Sequence, residues 1–448
     1  MPDDSARWLT AGNPQAHAAS LRTRFAQVFD RGAHGVWFAP GRANLNGEHI
    51  DFHGGRCLPM ALRHGTYAAA APRTDGLLRL RTLDSQLDSG ILEIRTETGP
   101  RDDGAQPGGR SDEDWTQYVW GVLWAMQQLA GDEPALTLEH GFGADVLIRS
   151  TLPIGAGLSS SASLECAAAL AFTALGTPLG QQNPGPRLGA ALSDEHRAVL
   201  AQACVRAEVE VVGAGTGGLD QTTSLRAAES RLLSLDCRDF SLEFTDTAPL
   251  LEKYRFVAVD TGQPHALATS EFTDRRAESE AAAAVLDLKR LRDALPENPS
   301  ADDVDRVLKT YDAAVTPAAL AGADPAGCRR RLEHALTEML RSETIHRLLT
   351  EDAHTVGHAA QAIGAIMTEG HASMRDKAEV SFDLADQVVE TVVAHGALGA
   401  RLIGGGFGGS VLVLLPRHAL EPVVTAACRL DADIRFLAVD PSPGAHPV

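Results

Sequence analysis

Apolar and polar positions along this chain fall into blocks separated by a few glycine-rich turns. Residues 143–149 (GADVLIR) read as a β-strand, and residues 163–175 (SLECAAALAFTAL) have helical composition and follow a Gly/Ser-rich turn at once. The pattern is strand, glycine loop, helix. Residues 254–259 (YRFVAV) alternate as a strand does, while 275–295 carry Ala, Glu, Leu and Arg at helical spacing. From there strands and helices are expected to alternate along the remaining chain. Residues 398–402 lead into GGGFGG at 404–409, and the β-branched run VLVLL at 411–415 follows, which predicts two strands joined by a glycine turn. Two stretches, 97–114 and 176–187, concentrate Gly and Pro with acids or amides and are predicted to be surface loops. No unit of about 20–50 residues repeats, so a solenoid or propeller is excluded.

Composition sharpens this picture. The 448 residues, 44% hydrophobic and 22% charged, describe an ordinary globular protein of two or three domains, and exclude disorder, collagen and coiled coil as global descriptions. A net charge of −19 repels polyanions such as nucleic acid or an acidic membrane face, yet leaves room for a local basic cleft for a small phosphate ligand. The six cysteines lie far apart, with no two-residue spacing of a zinc knuckle or redox pair, and read as reduced, buried thiols. Residues 1–10 carry acids rather than a basic, then apolar, leader, and no run of 18 apolar residues occurs. The expectation is a cytoplasmic protein that binds neither nucleic acid nor membrane.

Three stretches could carry chemistry. The first, APGRANLNGEHIDFHGGRCLPMAL at 39–62, crowds Arg42, Asn44, Glu48, His49 and Asp51 beside several glycines. Carboxylates accept from hydroxyls and Arg offers a fixed fork of donors, a set suited to an uncharged polyol whose hydroxyls are read by orientation. A rival reading makes His49, Asp51 and His53 metal ligands on one strand face, and a third leaves the stretch as a solvated turn. The second is PIGAGLSSSAS at 153–163, where glycines admit close approach, successive N–H groups make an anion nest and the following helix offers its positive end to phosphate. Ser159, Ser160 and Ser161 add donors or a Mg²⁺ ligand. The Gly-Lys-Ser/Thr ending of a Walker A loop is missing. A plain helix-capping loop is the alternative. The third, GGGFGGS at 404–410, needs a tight turn or a close approach to justify its glycines and says little alone.

In this order and at these separations the three stretches resemble the motifs of the GHMP kinase superfamily, and the first resembles the galactokinase signature. WTQYVWGV from Trp115, GGLDQ at 217–221, LDCR at 235–238, TSEFTDRR at 269–276 and RDKAEVS at 375–381 are similar to galactokinase segments as well, so the resemblance runs from about Val36 to Leu415. It implies an α/β fold of the α+β type with two domains: a ribosomal-S5-like α/β domain over residues 1–225, holding sugar and ATP, and a ferredoxin-like C-terminal GHMP kinase domain over 226–448, with the active site between them.

Carried over residue by residue, the resemblance implies sugar contacts from Arg42, Glu48, His49, Asp51, Gly217, Asp220 and Phe272. Arg42 and Asp220 would be the catalytic pair, with Asp220 facing the hydroxyl to be phosphorylated and either taking its proton or only orienting it. The triphosphate would lie on Gly155, Ala156, Gly157, Leu158, Ser159, Ser160 and Ser161, with Ser161 and Glu208 at Mg²⁺ and Trp115 stacked on adenine. Trp115 as core and Glu208 as a solvated helix face are the bland alternatives. The activity implied is transfer of a phosphoryl group from ATP to the anomeric hydroxyl of galactose, by a monomer with small-molecule partners.

Departures bear on the sugar. Asn46 stands where the family has an apolar residue, Phe52 and Phe272 where it has Tyr, Pro264 where some members are basic and Ala378 where Tyr is common. Two hydroxyls lost from a site built to read hydroxyls can change selectivity. One alternative is therefore a kinase for N-acetylgalactosamine or L-arabinose, and another, implied by galactokinase-like proteins that bind ATP and galactose to signal through a protein partner, is a non-catalytic sugar and ATP sensor.

Overall fold

The computed structural model describes residues 7–88, 90–96, 115–129, 133–139, 141–263, 268–317, 319, 320, 322–350 and 356–448. The predicted loop at 97–114 and Pro264 lie outside them. In chain order the first half holds α1 (Pro14–Phe29), β1 (Gly35–Asn44), β2 (Arg56–Cys57), β3 (Pro59–Arg73), β4 (Leu77–Thr82), β5 (Leu92–Arg95), α2 (Trp115–Gln127), β6 (Gly143–Ser150) and α3 (Ser160–Gly176). Short helices α4 (Pro178–Gln182) and α5 (Arg187–Ala191) precede α6 (Asp194–Arg206), a π-helical turn over Ala207–Val212, and α7 (Leu219–Arg226). The predicted loop at 176–187 is thus partly helical, because Thr177 caps α4 through its side chain on Gly180 N and Pro178 is preset for a first turn.

The second half holds β7 (Arg231–Asp236), β8 (Ser241–Asp246), α8 (Ala248–Lys253), β9 (Tyr254–Asp260), α9 (Ala268–Val285), α10 (Ala301–Ala314), α11 (Pro325–Thr350), α12 (Val356–Ser373) and α13 (Asp383–Ala394). Then come β10 (Gly399–Ile403), β11 (Ser410–Pro416), α14 (Leu420–Ala427), β12 (Arg435–Val439) and β13 (His446–Pro447). Two expectations are corrected here. Strand and helix do not alternate, since five α-helices follow β9 before the next strand among the described residues. Nor is 275–295 one helix: α9 stops at Val285, where Asp287 takes φ +55° and Leu288 N closes on Ala283 O, the geometry of a Schellman stop.

A mixed sheet runs β13-β1-β3-β6-β4-β5, with β4 parallel to β6 and the other pairs antiparallel. Its β3 is buried along nearly its whole length, and the Ala-rich α3, almost wholly buried, lies against β1 and β3. Alanine methyls let helix and sheet backbones approach closely. The antiparallel sheet β10-β11-β9-β12 carries the βαββαβ order 4-1-3-2 of a ferredoxin-like unit, with α12 and α13 packed on it. A small sheet β2-β7-β8 joins the two halves of the chain. The expected fold is the observed one. All six cysteines are free thiols, five of them buried. No helix among the described residues is long and apolar enough to cross a membrane.

Candidate active site

The three stretches meet. β1 breaks its register between Pro40 and Arg42, and past Asn44 the chain leaves the sheet for a buried turn through Asp51–His53. The loop 153–159 crosses beneath it, where Arg42 N donates to Leu158 O at 3.2 Å, and Gly41 is required because a Cβ there would lie 2.4 Å from that same oxygen. The glycine turn between β10 and β11 closes the other side. Gly404, at φ +85°, comes so near Gly157 that a Cβ would lie 2.8 Å from its carbonyl oxygen, and Ser410 Oγ donates to Ala156 O at 2.7 Å.

Between these segments lies a cavity of about 320 Å³ lined by Arg42, Glu48, His49, Asp51, Phe52, Glu208, Thr216, Gly217, Asp220, Phe272, Gly404 and Gly405, among others. At its centre Arg42 grips Asp220 with both prongs, Nε to Oδ1 at 2.9 Å and Nη2 to Oδ2 at 3.2 Å, while its Nη1 donates to Gly157 O at 2.7 Å. Bidentate pairing fixes both side chains in plane. Ser159, held at φ +60°, donates its hydroxyl to Asp220 Oδ2 at 2.5 Å. Asp220 sits in the first turn of α7, so the pair joins β1, the serine loop and α7 at one point.

The sugar-type residues form the wall. Asp51 accepts from Gly217 N at 3.1 Å, and a Cβ on Gly217 would lie 2.4 Å from its carboxyl carbon, so glycine is needed there. Burial raises the Asp51 carboxyl, and nearby Asp220 raises it further. Glu48 accepts from Gly404 N at 2.8 Å and from the Asn44 amide. Burial lifts its pKa to about 7 against the pull of Arg42 and Arg401. His49, also left-handed at φ +62°, is kept neutral by burial with its pKa lowered to about 4, and its ring lies 5.2 Å from that of Phe272. Phe52 stacks under the Arg276 guanidinium at 4.9 Å. The metal reading of His49, Asp51 and His53 fails, because they do not converge: His53 is turned away to Ser279 Oγ at 2.7 Å, and Asp51 is spent on Gly217.

Toward the serine loop, Glu208 lies on the π-helical turn, 8% exposed, so the solvated-face alternative is wrong. Burial and then Asp220 raise its pKa to about 7, while hydrogen bonds from Gln221 and Ser161 oppose the rise. The side chain of Gln221 bridges Glu208 and Glu165, donating to Glu165 Oε2 at 3.0 Å, and its Oε1 accepts from Thr216 Oγ1 at 3.4 Å. Glu165 was not foreseen. Fully buried on α3, its carboxyl is raised well above the usual range by burial and by Glu208, and the signal for it was a lone acid inside an Ala-rich apolar run. Trp115, at the start of α2, is half-buried against the core of the mixed sheet and outside the cavity lining, with a buried Nε1 that has no partner among the described residues.

The 4-1-3-2 sheet facing a mixed α/β half, with a serine loop and a glycine turn meeting in the cleft, is the arrangement of a GHMP kinase. Residues 117–227 match the GHMP kinases N terminal domain and 347–431 the GHMP kinases C terminal domain. A Methanococcus jannaschii mevalonate kinase shares this fold at TM-score 0.56 and 18% identity, over 93% of this chain and 99% of its own. Within that class, residues 23–72 match the galactokinase galactose-binding signature. A galactokinase of Streptomyces coelicolor is 40% identical over 441 residues, covering 96% of this chain and 99% of the relative. The crystal structure of Lactococcus lactis galactokinase complexed with galactose superposes at TM-score 0.75 and 25% identity, covering 96% of this chain and 99% of that one. The chain belongs to the galactokinase family.

Proposed function

We infer that this protein is an ATP-dependent galactose 1-kinase, making galactose 1-phosphate and ADP. The observation that carries the reading is the Arg42–Asp220 pair, which stands at the junction of a polyol-type wall and a serine loop shaped for phosphate. Galactose stands against Glu48, His49, Asp51, Gly217 and Phe272, with its anomeric hydroxyl at Asp220. ATP lies on residues 155–161, its adenine on Trp115. Phosphoryl transfer asks for alignment and charge neutralisation more than for covalent help, so Arg42 faces both the oxygen that attacks and the phosphoryl oxygens. Asp220 orients the hydroxyl and receives its proton, and the Ser159 hydroxyl fixes the carboxyl that does so.

Ser161 and Glu208 fit Mg²⁺. They are hard oxygen donors hydrogen-bonded to each other, Ser161 from the first turn of α3 and Glu208 from the π-helical turn, and Glu208 is a buried acid among acids that a cation would hold ionised. When bound, the ion supplies charge neutralisation on the phosphate oxygens. Among the described residues no group of three or more His, Cys, Asp or Glu could hold a metal. The division into residues 1–225 and 226–448 stands as a proposal, with the chain at 442–448 returning to the mixed sheet.

The reading is tested by ADP release with MgATP against galactose, N-acetylgalactosamine, L-arabinose and glucose, followed by phosphorus NMR of the product. Galactose turnover with the phosphate on the anomeric oxygen is expected. Turnover confined to another sugar would assign Phe52 and Phe272 to a changed specificity, and binding without turnover would make the protein a sensor.

A further inference from the structure

Past β1 the chain at 46–49 has no strand partner for all of its buried peptide groups, and such groups must be paired elsewhere. One helix face pairs two of them, Gly47 N and Glu48 O, and the side chain of Asn46. Residues 334, 338 and 342 of α11 are four apart, hence on one stripe, and each meets a successive residue of the loop. Ser342 Oγ accepts from Asn46 Nδ2 at 2.8 Å, Glu338 Oε1 accepts from Gly47 N at 3.0 Å, and His334 Nε2 donates to Glu48 O at 3.1 Å. His334, Glu338 and Ser342 are almost wholly buried.

Each contact is itself held. The other ring nitrogen of His334 lies 2.9 Å from Ser373 Oγ, and burial lowers the His334 pKa to about 3, so the ring is neutral, with Nε2 carrying the proton for Glu48 O and Nδ1 accepting from the serine. Glu338 takes Arg401 Nη2 at 2.6 Å and Arg341 Nε at 2.8 Å. Burial would raise its carboxyl, but the two arginines outweigh burial and hold it well below the usual carboxylate range. Arg401 also bonds the Asn46 side-chain oxygen, and the strand that carries it, β10, runs into the turn whose Gly404 N–H holds Glu48.

The next residue, His49, sits in the left-handed region, a conformation unfavourable for a residue with a Cβ that persists only where surroundings impose it. We propose that the stripe His334, Glu338 and Ser342 is a clamp that holds residues 46–49 in this conformation and thereby sets Glu48 and His49 in the sugar wall. These are positioning residues for the sugar, with no part in holding the nucleotide. Asn46, which replaces an apolar residue of the family pattern, supplies the first rung in this chain.

The inference rests on the cleft taking a sugar, and wild-type turnover in the same assay tests that separately. The experiment measures KM for galactose, KM for ATP, kcat and thermal midpoint for wild type, His334→Leu, His334→Gln, Ser342→Ala and, as a control on the same helix, Thr344→Ala. Among the described residues Thr344 bonds only within its own helix, donating to Leu340 O at 2.8 Å and accepting from Arg347 Nη2 at 3.5 Å, so its loss touches stability alone. His334→Leu is expected to raise the galactose KM about tenfold or more with the ATP KM changed less than about twofold. His334→Gln, which keeps a donor for Glu48 O, recovers most of that loss. Ser342→Ala raises the galactose KM about threefold, and Thr344→Ala leaves it unchanged.

Equal changes in the two KM values, a loss of kcat alone, or no rescue by Gln would overturn the clamp. If His334→Leu does not fold, Ser342→Ala decides: an unchanged galactose KM there overturns it. Wild type silent on every sugar overturns the clamp together with the reading beneath it, whereas wild type active and variants indifferent overturns the clamp alone.

Discussion

At the residue scale the cleft is a collection of acids kept in order by one arginine. Glu48, Asp51, Glu208 and Asp220 all line one cavity, and among the described residues Arg42 is the one cation in its lining. Removing the Asp220 carboxyl while keeping its shape, Asp220→Asn, should lower kcat by about 10²–10⁴ and leave ATP affinity within about twofold, as read by ADP release and nucleotide titration. A near-normal kcat would take Asp220 out of the proton path. Glu48 gives a second, thermodynamic handle. Its carboxyl titrates near 4.5 when unfolded and near 7 in place, so between those values the folded chain holds a proton that the unfolded chain has released. The stabilisation from this raised pKa is full below pH 4.5 and is lost as pH rises through 7. Relative to Glu48→Gln, wild type should therefore lose about 3 kcal/mol between pH 4.5 and 8 in urea unfolding, each pKa unit being worth about 1.4 kcal/mol. Parallel pH curves for the two proteins would show that Arg42 and Arg401 keep Glu48 ionised.

At the element scale the site depends on backbones touching. The turn between β10 and β11 meets the serine loop at Gly404, and Gly404→Ala would suffer twice, from φ +85° and from a Cβ 2.8 Å from Gly157 O, the oxygen that Arg42 Nη1 binds. Its neighbour Gly405 has no such constraint, for a Cβ there would meet the Phe272 ring at 3.7 Å, an ordinary contact. Gly404→Ala should thus lower stability by about 1–3 kcal/mol and kcat by about tenfold, whereas Gly405→Ala should change stability by less than about 0.5 kcal/mol in the same denaturant series. Equal effects would mean that the turn yields freely. This contrast also marks what the sequence made legible. GGGFGG announced a close approach but not which glycine makes it, and the strands at 143–150, 254–260, 399–403 and 410–416 were visible because apolar runs between turns leave few other choices. The stop of α9 at Asp287 was hidden, since a Schellman closure by Asp leaves no glycine to betray it. The stripe on α11 was hidden for another reason. His334, Glu338 and Ser342 lie almost three hundred residues from Asn46, Gly47 and Glu48, and no local period can report a partner at that distance.

For the whole molecule, the cleft residues come from both halves of the chain, and one further segment ties the halves behind them. Residues 442–448 leave the ferredoxin-like sheet and run along the mixed one, where Ser442 Oγ donates to Leu62 O at 2.6 Å, Ala445 N to Ser224 O at 2.8 Å and Val448 N to Val36 O at 2.9 Å. Arg197 Nη1 spans Leu225 O and Ala445 O at 2.7 and 2.8 Å, and Ser224 Oγ reaches Pro40 O at 2.7 Å. The segment therefore backs α7, which presents Asp220, and β1, which presents Arg42, while touching neither side chain. Deleting 442–448 removes the bonds this segment makes to Leu62 O, Ser224 O, Val36 O and Arg197, together with the buried Ala445 itself, which should lower the thermal midpoint by on the order of 5 °C. It should also loosen the bidentate Arg42–Asp220 geometry, whose loss falls on the transition state more than on either ground-state complex. The expected result is a drop in kcat larger than the rise in either KM, measured at a temperature well below the new midpoint. A lower midpoint with unchanged kcat would mean that the segment braces the fold alone and that Arg42 and Asp220 hold each other without help from behind.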